Sequence, residues 1–169
     1  MKILAIGAHP DDIEIFMYGL LATYKKRGDD IFLVIATDGG AGNVNNSSNL
    51  IKKRENETIL GLKKLGRPTF LNFSDGCLSY LNEAQKVINE LIKSIQPDLI
   101  ITHAPDDYHH DHRALSNYIT QNVGFSCPVI FCDTLMGINF NPDFYIDISE
   151  FFEEKCKSIN AHESQNPMN

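Results

Sequence analysis

"KILAIGAHPDDIEIFMYGLLATYKKRGDDIFLVIAT", residues 2–37, sets two apolar runs on either side of a segment with helical periodicity. "KILAIGA" (2–8) reads as a buried strand and "IFLVIAT" (31–37) as a second one. Between them, "EIFMYGLLATYKKRG" (14–28) reads as a helix with a basic last turn and Gly28 as its stop. The three together make a βαβ unit, and the same alternation continues outward. The Gly/Asn-rich "DGGAGNVNNSSN" (38–49) is a loop, and "LIKKRENETILGLKKLG" (50–66) carries apolar residues at helical spacing. "PTFLNF" (68–73), "DLIITHA" (98–104), "PVIFCDT" (128–134) and "FYIDISE" (144–150) are strand candidates. "NEAQKVINELIKSIQ" (82–96), with Asn82 as N-cap, "HRALSNYITQNV" (112–123) and "SEFFEEKCKSINAH" (149–162) are helix candidates. Right-handed crossovers return each helix to the sheet, so the expected architecture is α/β: one Rossmann-like domain over residues 1–169, a mostly parallel sheet with helices on both faces.

A chain of 169 residues with 43% hydrophobic content suffices for one sizeable core and is short for two. Fifteen Lys and Arg against 22 Asp and Glu give a net charge of −7, which opposes a broad nucleic-acid footprint or an anionic membrane surface and favours a small-molecule or sugar partner. No apolar run approaches the roughly 20 residues of a membrane span, and "ILAIGA" is too short for a signal segment. Four cysteines without a CxxC pair suggest reduced thiols in a cytoplasmic setting.

In a parallel sheet of this kind ligands sit at the carboxyl ends of the strands. His9 lies just past the first strand, and "APDDYHHDH" (104–112) just past "DLIITHA", so two polar clusters meet on one rim. Pro10 suits the first turn of a helix, leaving His9 on the strand end and Asp11 and Asp12 in the opening turn. One carboxylate can then ligate a metal while the other faces what the metal activates. An aspartate there also serves as an ordinary helix cap, worth about 0.5–2 kcal/mol, but capping leaves His9 unexplained. "HHDH" (109–112) adds three imidazoles and a carboxylate, and four of the six histidines fall in these two clusters. A single metal held by His, Asp and His with an open position for water is the concrete expectation. Zinc is preferred, although the same ligand set also describes non-haem iron.

"AHPDDIE" followed about a hundred residues later by "HHDHRAL" resembles the LmbE-like, or PIG-L, family of zinc-dependent N-acetylglucosaminyl deacetylases. "TDGGAG", "RENE", "LNFSDGCL" and "AHESQ" are similar to weaker features of that family, so the resemblance runs over nearly the whole chain. It implies one Zn2+ bound by His9, Asp12 and His112, with Asp11 as general base, a protonated His109 stabilising the oxyanion, Asp111 holding His109, and Arg54 binding substrate. The implied reaction removes acetyl from an N-acetylated, glucosamine-type sugar or glycoconjugate. His110 and Gly40 stand where the family commonly has proline and glutamate, and the chain stops at "HESQNPMN" where relatives continue. The short C-terminus raises three expectations: truncation, a homo-oligomer in which a neighbouring subunit completes the pocket, or a different substrate. Asp75, in "SDG", reads as a turn residue. Two other classes compete: a metal- or sugar-binding domain of the same fold without activity, and a nucleotide-binding domain. "DGGAGN" has neither phosphate-loop spacing, which disfavours the latter.

Overall fold

Ile3 and Ala5 point to one side of the first strand and Leu4 and Ile6 to the other, and all four are fully buried. A strand that is apolar on both faces must be covered on both, and the computed structural model of the protein shows how. It describes residues 1–42, 47–124, 126–134 and 141–165. The strands β1 (Lys2–Gly7), β2 (Asp30–Thr37), β3 (Thr69–Phe73), β4 (Leu99–His103) and β5 (Val129–Cys132) form one sheet in the order β3-β2-β1-β4-β5. Every neighbouring pair is parallel. The helices are α1 (Tyr18–Arg27), α2 (Ser47–Leu62), α3 (Asn82–Ile95), α4 (His110–Val123) and α5 (Phe152–Ile159). Met17, Leu21 and Leu62 cover the Ile3/Ala5 face, where α5 packs against α1 and α2. Ile88 and Ile92 of α3 and Leu115 and Ile119 of α4 cover the other face.

This strand order positions the site. From β1 the chain winds outward through β2 and β3, then crosses to the opposite side of β1 as β4. The winding reverses between β1 and β4, which opens a crevice beyond their carboxyl ends. The clusters following those two strands carry four of the six histidines.

Several local expectations change. The first helix enters through a π turn, Ile13–Met17, before α1 begins, and Gly28 closes it with φ 94°. Asn82 is the first residue of α3, and Leu81 precedes it with no side-chain cap. α2 starts at Ser47, and residues 43–46 of the expected 38–49 loop lie outside the described residues. α4 starts at His110, because the His109 ring accepts the Asp111 N–H and caps it. "FYIDISE" is not a strand: residues 144–148 have no regular structure, and Tyr145 is 89% exposed. Its alternation matches a strand but finds no partner edge. The segment is fixed instead by Ile148, which packs so closely over Gly19 that a Cβ there would lie 2.5 Å from Ile148 Cγ2.

Candidate active site

The turn after β1 is compressed. Asp12 folds back so that its Oδ2 accepts the His9 N–H at 2.6 Å, and a Cβ on Gly7 would lie 2.9 Å from Asp12 Cβ. Asp11, next to Asp12 in the chain, has φ 110°, a left-handed value that costs a non-glycine residue about 1–3 kcal/mol. Arg54 of α2 holds this conformation. Its Nη2 donates to the Pro10 carbonyl at 2.6 Å and to Asp11 Oδ2 at 3.1 Å, and its Nη1 donates to the Gly39 carbonyl at 2.9 Å.

Three atoms from the two clusters form a near-equilateral triangle. His9 Nδ1 lies 3.2 Å from His112 Nε2, and Asp12 Oδ2 lies 3.4 Å and 3.3 Å from those two nitrogens. A tetrahedral ion with bonds of about 2.0–2.1 Å sets its ligand atoms roughly 3.3 Å apart, so the spacing fits one first-row metal. The far nitrogens support the same reading. His112 Nδ1 faces Asp107 Oδ2 at 2.9 Å, and His9 Nε2 faces Asp75 Oδ1 at 3.1 Å and Asp111 Oδ2 at 3.3 Å. A carboxylate on the far nitrogen fixes the N–H there and turns the lone pair of the near nitrogen inward, the usual support of a metal-binding imidazole. His103 is also close, its Nε2 3.1 Å from Asp12 Oδ2, but that nitrogen accepts the Ala8 N–H at 3.0 Å and has no lone pair to offer. Its ring stacks on His112 with centroids 3.6 Å apart and orients that ring by contact.

The electrostatics suit a cation. Asp12 is held well below the usual carboxylate range: burial opposes this, but His112 and His103 override it. Burial alone would lower His9, yet the Asp111, Asp12 and Asp75 carboxylates push it up to about 12. Asp11 moves the other way, up to about 7, through burial first and then the neighbouring Asp12 charge, with Arg54 opposing. Two titratable carboxylates side by side thus have opposed environments, a pattern of divided roles.

The structure brings His9, Asp11, Asp12, Arg54, His109 and His112 to one cavity of about 340 Å³. Asp111 lies behind it, fully buried. The expectation that its carboxylate holds His109 is corrected: it accepts the Gly76 and Leu78 N–H groups at 2.7 and 3.0 Å and faces His9, whereas His109 is touched by the Asp111 backbone N–H. Burial comes first in lowering His109, to about 4, with the His9 and His112 charges adding to it and Asp111 opposing. With Nδ1 accepting the Asp111 N–H at 3.2 Å, the neutral ring carries its proton on Nε2 and is a hydrogen-bond donor without being charged.

Sequence reading missed Asp107 and His103, and took Asp75 only as a turn residue. His103 carried a signal, a polar residue ending an otherwise apolar strand that is buried throughout. Asp107 is expected to matter measurably: it is 1% exposed, and Asp107→Asn should weaken metal affinity about 10–100-fold, the usual cost of losing such a partner. Competition against a chelator of known affinity measures this, and an unchanged affinity would remove Asp107 from the site.

Residues 4–123 match the family described as PIG-L, GlcNAc-PI de-N-acetylase. The chain is 28% identical to the diacetylchitobiose deacetylase of Thermococcus kodakarensis, over 98% of this chain and 70% of that protein. It is 30% identical to the uncharacterized deacetylase YaiS of Escherichia coli, over 96% of this chain and 90% of that one. The solved N,N'-diacetylchitobiose deacetylase of Pyrococcus horikoshii, in complex with its inhibitor MPG, superposes with a TM-score of 0.86 at 27% identity, covering 98% of this chain and 71% of that one.

Proposed function

We propose, from the premise that this chain belongs to the PIG-L family, that it is a metal-dependent hydrolase removing the acetyl group from an N-acetylated, glucosamine-type sugar, with acetate and a free amine as products. The observation that carries this reading is the triangle of His9 Nδ1, Asp12 Oδ2 and His112 Nε2, with sides of 3.2–3.4 Å, beside a carboxyl group placed near neutrality. One zinc ion per chain is the proposed cofactor, held by those three atoms with a fourth position open. When bound, the metal polarises the acetamide carbonyl and acidifies a water molecule.

The remaining work belongs to the protein. Asp11, with Oδ2 held by Arg54, takes the proton of the attacking water and returns it to the departing amine, a task suited to a carboxyl that burial and the Asp12 charge hold above the usual carboxylate range. His109 donates its Nε2 hydrogen to the oxyanion of the tetrahedral intermediate. Asp75 and Asp111 orient His9, while Asp107 and His103 orient His112. Arg54 spends most of its donors on the loop and on Asp11, so its proposed contact with the sugar falls to the hydrogen left on Nη1. Residues 1–169 are proposed to act as a single LmbE-like domain in the cytoplasm. Among the described residues no helix is long and apolar enough to cross a membrane.

The purified protein is expected to carry about one equivalent of divalent metal and to release acetate from N,N'-diacetylchitobiose or N-acetylglucosamine, with activity lost on chelation and restored by zinc. Full activity in a metal-free preparation, or no acetate from either sugar, overturns the proposal.

A further inference from the structure

Two buried carboxylates outside the metal triangle each hold one residue of the same distant turn. Glu14, in the π turn after Asp12, is fully buried, and its Oε1 lies 2.8 Å from His162 Nε2. Burying a carboxylate among apolar side chains is costly unless it is paired, so this contact must form for the turn to pack as it does. Glu57, one helical turn beyond Arg54 on α2, is 7% exposed and accepts both the N–H of Ser164 at 2.9 Å and its hydroxyl at 2.5 Å. Residues 162 and 164 are thereby pinned to elements that carry Asp11, Asp12 and Arg54. The 3-10 turn Glu163–Gln165 is thereby placed beside the site.

That side chain goes into the cavity. Gln165 lines it together with His9, Asp11, Arg54, Asp75 and Tyr108. The approach is close: a Cβ on Gly42 would lie 3.0 Å from Arg54 Nη1 and 3.3 Å from Gln165 Oε1, so the guanidinium and the amide flank the same glycine. The only hydrogen bond of the amide among the described residues is a long one, Nε2 to Ser164 Oγ at 3.3 Å. A neutral group with a donor and an acceptor, at a mouth lined also by Asp11, Arg54 and Asp75, matches the hydroxyl groups of a sugar.

We propose that Gln165 is a substrate-binding residue, its amide hydrogen-bonding a hydroxyl of the N-acetylated sugar, and that the Glu14/His162 and Glu57/Ser164 pairs are positioning residues that deliver it. The inference rests on the functional reading above and adds to it a wall of the pocket built by residues 162–165. A hydrogen bond to a sugar hydroxyl, rather than to the reacting acetamide, binds ground state and transition state alike. Its removal belongs in KM rather than kcat.

The test uses the zinc-loaded full chain and initial rates of acetate release from N,N'-diacetylchitobiose and N-acetylglucosamine. Gln165→Ala is expected to raise KM roughly 3- to 10-fold, the worth of one neutral hydrogen bond, with kcat within about twofold. Glu57→Gln, which loosens the Ser164 pin while keeping its shape, should raise KM in the same direction. In the double variant the Glu57 change should add little once Gln165 is gone, because it acts through that residue. Unchanged KM in Gln165→Ala, or a fall in kcat alone, overturns the inference and leaves the deacetylase reading standing. A fully additive double variant removes the positioning role of Glu57. A wild-type protein inactive on both sugars overturns the functional reading and this inference with it.

Discussion

Asp12→Ala is expected to yield a folded protein that no longer retains its metal, whereas Asp11→Asn keeps the metal and loses about 10²–10⁴ in kcat, the usual worth of a positioned acid or base. The two residues are adjacent in sequence and opposite in environment. Asp12 Oδ2 receives the His9 N–H and lies within 3.4 Å of both proposed ligand nitrogens, so its removal takes away one corner of the triangle. The affinity loss should exceed the 10–100-fold that an outer partner such as Asp107 costs. Asp11 makes no contact with His9 or His112; its carboxylate meets Arg54 and opens to the cavity. Asparagine there keeps the size and the hydrogen bond from Arg54 but cannot take a proton. Metal analysis and kcat on the two variants separate the roles: loss of metal in Asp11→Asn with retention in Asp12→Ala inverts them.

The parts of this molecule that were legible in the sequence are those whose signal is local. β1, β2 and β4 are continuous apolar runs because both faces of the sheet are covered, and their alternation with helical segments leaves few topologies to choose from. His9 and the 109–112 cluster stood out as polar ligands placed where buried strands end. What stayed hidden acts across the fold. Asp75 reads as a turn residue because Gly76 follows it with φ 80°, and only the β1–β3 rim shows its carboxylate 3.1 Å from His9. Glu14 and His162 stand at the start of one expected helix and the end of another, and only the fold brings them within 2.8 Å. The family resemblance implies that Asp111 holds His109, but at the start of a helix neighbouring side chains diverge, and its carboxylate turns to the Gly76 and Leu78 amides instead. "FYIDISE" failed for a related reason. Alternation tells which face of a strand is apolar and says nothing of whether a free edge exists to pair with it.

Three histidines within four positions compete for two roles, and the geometry predicts three different variants from them. His112→Ala should strip the metal, since Nε2 is one corner of the triangle and the nearby His103 nitrogen is occupied by the Ala8 N–H. His109→Ala should retain the metal and lose about 10²–10³ in kcat, as for removal of one oxyanion donor, because its ring lines the cavity with Nδ1 already satisfied by the Asp111 N–H. His110→Ala should leave metal content and kcat nearly unchanged. Its side chain is 47% exposed, its Nε2 reaches the Gly76 carbonyl at 2.9 Å, and it is not among the residues that line the cavity. The contrast between His109 and His110 is the sharper half of the test, since the two rings stack with centroids 4.8 Å apart and His109, not His110, lines the cavity. If His110→Ala is metal-free or inactive while His109→Ala is not, the catalytic ring lies one position along, and the oxyanion role assigned to His109 fails together with the helix register that α4 gives it.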